Sequence, residues 1–399
     1  MRREEIPVVF SSADGHVIEP DDLYRDRLPR VYRDRAPAYE YSEGLIKWYD
    51  RFGRLKQWAS PMFDVFGNRL TDSVSQRIAS LDAQKINVEV LYPNNFEMLR
   101  EEDPTFAVAM AKVYNDYMFE AYGEYPDRFV PVSTIPVADV KLAVQELERT
   151  AAMGARSIAI PEMPTVPYWS PDYEPLWSAA EEAKLVVAFH IGTAVADGTF
   201  KPMGVGGGRR VIPPGEALTV SEALRCGTGV QISYPAQEVI AHLVGSGVLD
   251  RHPNLHFVAA EYHAHWLAGF MSGIDKAWTL GLGQPDTHLM GDFDPTRPVD
   301  DQPGMVNIFH FNTRWRYPLR PSEYVRRQIH CTFMDDPGAI GMRHITGVEA
   351  LLWGADFPHP EGTSPETNPA IQKQLAGVPV DDLELITGGN LRRLYGLTN

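Results

Sequence analysis

Cysteine is almost missing: Cys226 and Cys331 are the only two in 399 residues, and no Cys-x-x-Cys occurs. That removes a disulfide framework and a zinc ribbon, and fits a reducing, cytoplasmic setting. Positive charge is also scarce, with 37 Lys and Arg against 53 Asp and Glu for a formal net charge of −16. With no basic run to offset the acidic excess, nucleic acid and anionic membrane are not expected partners. Long apolar runs are absent too. No segment reaches the roughly 18 residues a membrane span requires, and the start leads only into the short run Ile6 to Phe10, which lacks the hydrophobic region of a secretory signal. What is present is 44% hydrophobic content. At this length it supports a core burying roughly three quarters of the unfolded surface.

Short β-branched runs recur along the chain: Pro7–Ser11, Val88–Tyr92, Phe129–Ser133, Arg156–Ile160, Leu185–Phe189, Leu255–Ala259, Gln328–Thr332 and Leu351–Gly354. Helical periodicity fills most gaps, as in Thr105–Tyr125, Val140–Met153, Tyr173–Ala183, Ala236–Val248 and Pro337–Ile345. Eight alternating units predict an α/β fold, a (β/α)8 TIM barrel formed by a single domain over 1–399. No Gly-x-Gly-x-x-Gly follows the first run, which argues against a dinucleotide-binding sheet. Three stretches break the repeat, at about 20–75, 192–234 and 281–321. The first is rich in aromatics such as Trp48, Trp58 and Phe63; the second carries Gly204–Gly208 followed by Arg209 and Arg210. They read as lids and binding loops or as peripheral helical decoration and contacts between copies of a homodimer.

Active sites of such barrels lie at the C-terminal ends of the strands. The first run ends in Asp14-Gly15-His16, the fifth in His190, the sixth in Glu261-Tyr262-His263-Ala264-His265 and the eighth in Asp356. Each has an ordinary alternative; Asp14 or Asp356 could cap a helix. Together, carboxylates and imidazoles at four strand ends suit a divalent ion. The expected ligands are Asp14, His16, His190 and Asp356, the expected ion Zn2+ with Mn2+ or Fe2+ compatible.

These stretches resemble the amidohydrolase superfamily, in the branch typified by aminocarboxymuconate-semialdehyde decarboxylase. Ser12–Pro20 is similar to its strand-one metal motif, with Asp14 in place of the first His of His-x-His. Phe189-His190-Ile191-Gly192 resembles the strand-five motif, Gly247–Leu255 the approach to strand six, Trp353–His359 the strand-eight motif, and Gly389–Leu397 the terminal helix. A second register would pair His16 with Ile18 and leave strand one with one ligand. Glu261 stands where the prototype has a water-activating His, and no Lys ends strand four (Ile158–Glu162), so one metal is expected.

His263 is the first candidate for acid/base work and His359 the second, because an unperturbed imidazole titrates near pH 6.5. Glu261 is expected to polarise a ring nitrogen or cap a helix. Arg209 and Arg210, with Arg51 and Arg54, are candidate carboxylate holders, and Trp58 a stacking surface. The resemblance implies a carboxy-lyase that decarboxylates a small carboxylated or cyclic molecule without oxidation. Hydrolysis of an amide, lactone or related bond by metal hydroxide is the alternative. A catalytically silent binding barrel and a flavin- or nicotinamide-dependent oxidoreductase are the readings from other classes.

Overall fold

The computed structural model describes residues 10–42, 45–49, 55–59, 62–71, 73–193, 229, 231–277, 315–360 and 362–397. The first apolar run forms β1 (Phe10–Val17). Three short strands follow, β2 (Ala38–Ser42), β3 (Leu45–Tyr49) and β4 (Leu55–Ala59), and then β5 (Ile86–Pro93), β6 (Phe129–Thr134), β7 (Ser157–Ile160), β8 (Val186–His190), β9 (Phe257–Ala260), β10 (Ile329–Phe333) and β11 (Leu351–Trp353). Strands β1 and β5 to β11 hydrogen-bond side by side in chain order, each pair parallel. All eight expected runs contribute a strand to this barrel. Parallel strands flanked by crossover helices are buried on both faces, which is why they read as nearly unbroken apolar runs. In β8 every residue is buried, His190 included.

The crossover helices start on side-chain caps. Asp103 Oδ1 accepts from Thr105 N and Phe106 N ahead of Pro104–Tyr122, and Asp139 Oδ1 from Leu142 N ahead of Val140–Ala152. Asp336 does the same for Pro337–Thr346. Such caps satisfy amides that the first helical turn leaves without partners.

The 20–75 insertion is not chiefly helical. After a short helix at Leu23–Arg27 it forms the antiparallel sheet β2-β3-β4, in which Trp58 pairs with Lys47. Of the other two insertions, residues 194–228, 230 and 278–314 lie outside the described residues, and Arg209, Arg210, Arg51 and Arg54 with them.

β1 runs beyond the expected Pro7–Ser11, so Asp14 and His16 lie within a strand instead of after it. Its C-terminal half is held by the segment that follows β11. Asp356 N donates to Asp14 O at 2.9 Å and His16 N to Phe357 O at 2.8 Å. Ser12 adds a side-chain stitch, its hydroxyl donating to Asp14 O at 2.7 Å and accepting from Ala355 N at 2.9 Å. The approach is close enough to require glycine at 354, where a Cβ would come within 2.7 Å of Asp14 Cβ.

Beneath the seam, Arg77 of the helix Val74–Ala83 donates to Glu89 Oε2 on β5 at 2.8 Å, to His16 O at 2.6 Å and to Phe357 O at 3.2 Å. Both charges are out of water, with 3% and 0% exposure. Removing one member of a buried pair costs about 3–5 kcal/mol, because the other charge is stranded. Arg77→Met should therefore lower the urea unfolding free energy by about that amount, and Arg77→Met with Glu89→Leu should recover a large part of it. Equal stability of wild type and single variant would remove Arg77 from the closure.

Candidate metal centre

Asp14, His16, His190 and Asp356 converge at the C-terminal mouth of the barrel. His16 Nε2 lies 3.7 Å from Asp14 Oδ1 and 3.3 Å from Asp356 Oδ1; His190 Nε2 lies 3.6 Å from Asp14 Oδ1. Glu261 enters from the end of β9, its Oε2 3.2 Å from His190 Nε2 and 3.9 Å from His16 Nε2. His359 completes the cluster, with Nδ1 3.0 Å from Asp356 Oδ1 and its ring stacked on that of His16 at 4.1 Å between centroids. Donor atoms of His16, Glu261, Asp356 and His359 fall within 4.8 Å of one another, as do those of Asp14, His16 and His190.

The backbone does the aiming. Alternation along β1 sends Asp14 and His16 to the same side. Glu261 and Asp356 adopt φ of 68° and 53°, a left-handed conformation that costs an L-residue roughly 1–2 kcal/mol. These turns break the strand period where the side chains must face the axis.

The His16 and His190 imidazoles are oriented from behind. His16 Nδ1–H donates to Pro93 O at 2.9 Å, and His190 Nδ1–H to Ile191 O at 2.9 Å, which turns both Nε2 atoms toward the centre. Asp14 is held by Thr332 of β10, whose hydroxyl donates to Oδ2 at 3.0 Å while accepting from Glu261 N at 2.7 Å. Phe96 and Tyr92 wall the site, with ring centroids 4.8 and 5.0 Å from that of His190. Asn94 Oδ1 lies 3.1 Å from His359 Nε2.

Asp14 Oδ1, His16 Nε2, His190 Nε2 and both carboxylate oxygens of Asp356 are buried and hydrogen-bond to nothing among the described residues. Buried polar atoms normally find partners. A helix-capping Asp356 would accept amide protons, and this one accepts none. Asp14 and His190 share one donor group with His16, and Asp356 shares the other; two carboxylates with two imidazoles would suit a divalent cation in charge and in donor type. Glu162, at the end of β7, is committed elsewhere: it accepts from Gly192 N at 3.0 Å and from the Tyr262 hydroxyl.

The titrations tell the same story. Burial, with the neighbouring His359 imidazole, drives His16 down to about 4, so it is neutral. Burial opposes charge on His190, but the Asp14 and Glu261 carboxylates outweigh it and push it up to about 9. Burial, reinforced by Asp356 and Asp14, pushes Glu261 up to about 8. Burial works against the Asp356 carboxylate, yet the His16 and His359 imidazoles prevail and hold it well below the carboxylate range.

Other expected residues lie elsewhere. His263 belongs to neither donor group; it sits half-buried in the field of Asp336 and Asp335, with its ring 6.0 Å from that of His265. His265 Nδ1 contacts Asp336 Oδ2 at 3.0 Å. Trp58 stands on β4, and Arg209 and Arg210 lie outside the described residues. Sequence reading passed over Thr332, Asn94 and Phe96. The polar run Asn94-Asn95 directly after β5 was the available signal.

A parallel eight-stranded barrel with one His/Asp donor set at its C-terminal mouth defines a class of metal-site barrels. A model described as amidohydrolase matches residues 75–311, more than half of the chain, and the chain belongs to that family. Among relatives, a gamma-resorcylate decarboxylase from Rhizobium radiobacter is 26% identical over 202 residues, 48% of this chain; the match spans 56% of that protein's length. Among solved structures, an amidohydrolase from Mycobacterium avium subsp. paratuberculosis K-10 superposes with a TM-score of 0.71 at 18% identity, covering 98% of this chain and 100% of that one. A dihydroxybenzoic acid decarboxylase from Polaromonas sp. JS666, solved with bound manganese and 2-nitroresorcinol, gives 0.58 at 16% identity over 97% of this chain and 96% of its own.

His190 and Glu261 both carry values above their ordinary 6.5 and 4.5. A group whose folded value is raised stabilises the fold fully below its unfolded value and loses that contribution as pH rises through the folded one. Because His16, lowered to about 4, works in the opposite sense up to about pH 6.5, the metal-free protein should lose stability between about pH 6.5 and 9, where a bound cation would take the place of those protons. The melting-temperature gap between metal-loaded and metal-free protein should widen from pH 6 to pH 9, with protons released on metal addition. A gap that narrows over this range would contradict the assignment.

Proposed function

We propose that this chain is a mononuclear metal-dependent carboxy-lyase that decarboxylates a hydroxylated aromatic acid without oxidation. The observation that carries this reading is the set of five buried donor atoms without hydrogen-bond partners among the described residues, in two donor groups that share His16, with His359 beside Asp356. The decarboxylase names of its relatives and the planar wall of Phe96 and Tyr92 support it.

In this reading Asp14, His16, His190 and Asp356 hold the ion, which supplies a Lewis acid for the carboxylate and adjoining hydroxyl of the substrate. Decarboxylation exchanges a carbon–carbon bond for a carbon–hydrogen bond. The electron pair of the broken bond stays on the ring carbon, a proton joins that carbon, and carbon dioxide leaves. His359 is the proposed proton donor in place of His263, because it touches the cluster and is 16% exposed, open to a small molecule. Glu261 is proposed to set the charge beside His190. Phe96 packs its ring against those of both His190 and His16, which suits a flat substrate. Arg209, Arg210 and Trp58 remain proposed substrate contacts from the insertions, as parts of one domain. Zinc as the native ion, with manganese or iron as alternatives, a homodimer and a cytoplasmic setting belong to the same proposal; the buried thiol of Cys331 accords with the last.

Metal-loaded protein offered hydroxybenzoates and carboxylated methoxyphenols should release carbon dioxide. His359→Asn should lower kcat by about 10² to 10⁴, the worth of a positioned acid, with metal content kept. The loss should exceed that of His263→Asn by at least about tenfold. Lactone or amide hydrolysis without carbon dioxide release would replace this reading with the hydrolytic one.

A further inference from the structure

The last residue of β5 and the segment after it supply no titratable side chain to the candidate metal centre, yet they touch three imidazoles there. Pro93 O accepts from His16 Nδ1, the Phe96 ring packs on His190, and Asn94 Oδ1 faces His359 Nε2. Asn94 is itself held. Asn94 N and Asn95 N donate to one oxygen of Glu19, Oε1, at 3.1 and 3.2 Å. Glu19 follows β1 and is 6% exposed, so its carboxylate is spent on this loop instead of solvent. On the far side, Asn95 Oδ1 accepts from Glu97 N at 2.9 Å, tying the segment to the helix Glu97–Arg100.

Three groups surround His359: Asp356 Oδ1 lies 3.0 Å from Nδ1, the His16 ring stacks on one face at 22° between planes, and Asn94 Oδ1 lies 3.1 Å from Nε2. An imidazole N–H lies in the ring plane, so its direction follows the ring, and the Asn94 contact holds that ring against turning about its Cβ–Cγ bond. A carbonyl oxygen accepts and does not donate, so Asn94 places the Nε2 hydrogen on the line toward itself. A proton donor held in one orientation transfers within reach of the carbon that needs it, and small misplacements are costly.

We propose that Asn94, anchored by Glu19, is a positioning residue for His359, fixing where Nε2 presents its hydrogen at the mouth of the site. The kinetic part of this proposal rests on the decarboxylase reading; the structural part does not. Asn94→Leu removes the acceptor at similar volume, and Asn94→Asp restores an acceptor in the same place. Two measurements follow on the zinc-loaded protein: imidazole ¹⁵N–¹H correlations of His359, assigned with His359→Asn, and kcat and KM for carbon dioxide release.

The expected result is a protonated Nε2 in wild type, a displaced or lost Nε2 correlation in Asn94→Leu, and a kcat lower by about 10- to 100-fold at unchanged KM and metal content, as for residues that orient a site from behind. Asn94→Asp should return the correlation and bring kcat back to within about threefold of wild type; Glu19→Leu should reproduce the Asn94→Leu displacement. An unmoved correlation in Asn94→Leu overturns the proposal, as does Asn94→Asp no better than Asn94→Leu, or loss of metal in step with activity. Because the correlation needs no turnover, a wild type that releases no carbon dioxide refutes the decarboxylase reading while the His359–Asn94 contact is still decided.

Discussion

Like charges repel, and this barrel gathers three carboxylates at one dry mouth. Asp14 and Asp356 are 2% and 0% exposed, and Glu261 lies within 4.8 Å of the Asp356 donor. Two unit charges at that separation repel by about 3 kcal/mol even at an effective dielectric of 20. Such a cluster stands only if positive charge stands among it, as protons or as a metal ion. In the metal-free chain the compensation is visible in the raised values of His190 and Glu261.

The surroundings keep that cluster in one geometry. Backbone carbonyls of Pro93 and Ile191 take the outward nitrogens of the His16 and His190 imidazoles. Thr332 ties Asp14 to the backbone of Glu261, so the β1 and β9 contributions are set relative to each other by one hydroxyl on β10. Arg77, from below, grips the carbonyls of His16 and Phe357, next to ligands on both sides of the seam. None of these groups would touch a substrate. Their shared effect is that the donor atoms have nowhere else to turn.

The barrel was legible because parallel strands buried on both faces leave apolar runs that no exposed strand resembles. The donor residues were legible for a related reason: a charged or imidazole side chain directly after such a run has few places to go except the mouth. The sixth strand was harder. Glu261 and His263 both take positive φ, of 68° and 58°, so alternation beyond Ala260 does not say which side chain faces the axis. Glu261 turns in and His263 turns toward Asp336, while His359, beyond the last strand, returns through the turn in which His359 N donates to Asp356 O. Thr332 and Asn94 carried no charge to mark them. The β2-β3-β4 sheet lay hidden in a segment whose mixed aromatics and charges follow neither period cleanly.

The seam between β1 and the end of β11 has a further meaning in time. Ala355 and Ser12, which meet across it, are 343 positions apart in the chain. Contacts of such separation carry a loop-closure entropy that pairing between neighbouring strand–helix units does not. Asp14 and His16 lie on one side of this seam and Asp356 on the other. A partly folded chain, or one still emerging during synthesis, therefore holds only fragments of the donor set, each too sparse to retain an ion. Tight capture of a cation by this donor set would thus report that the ring has closed.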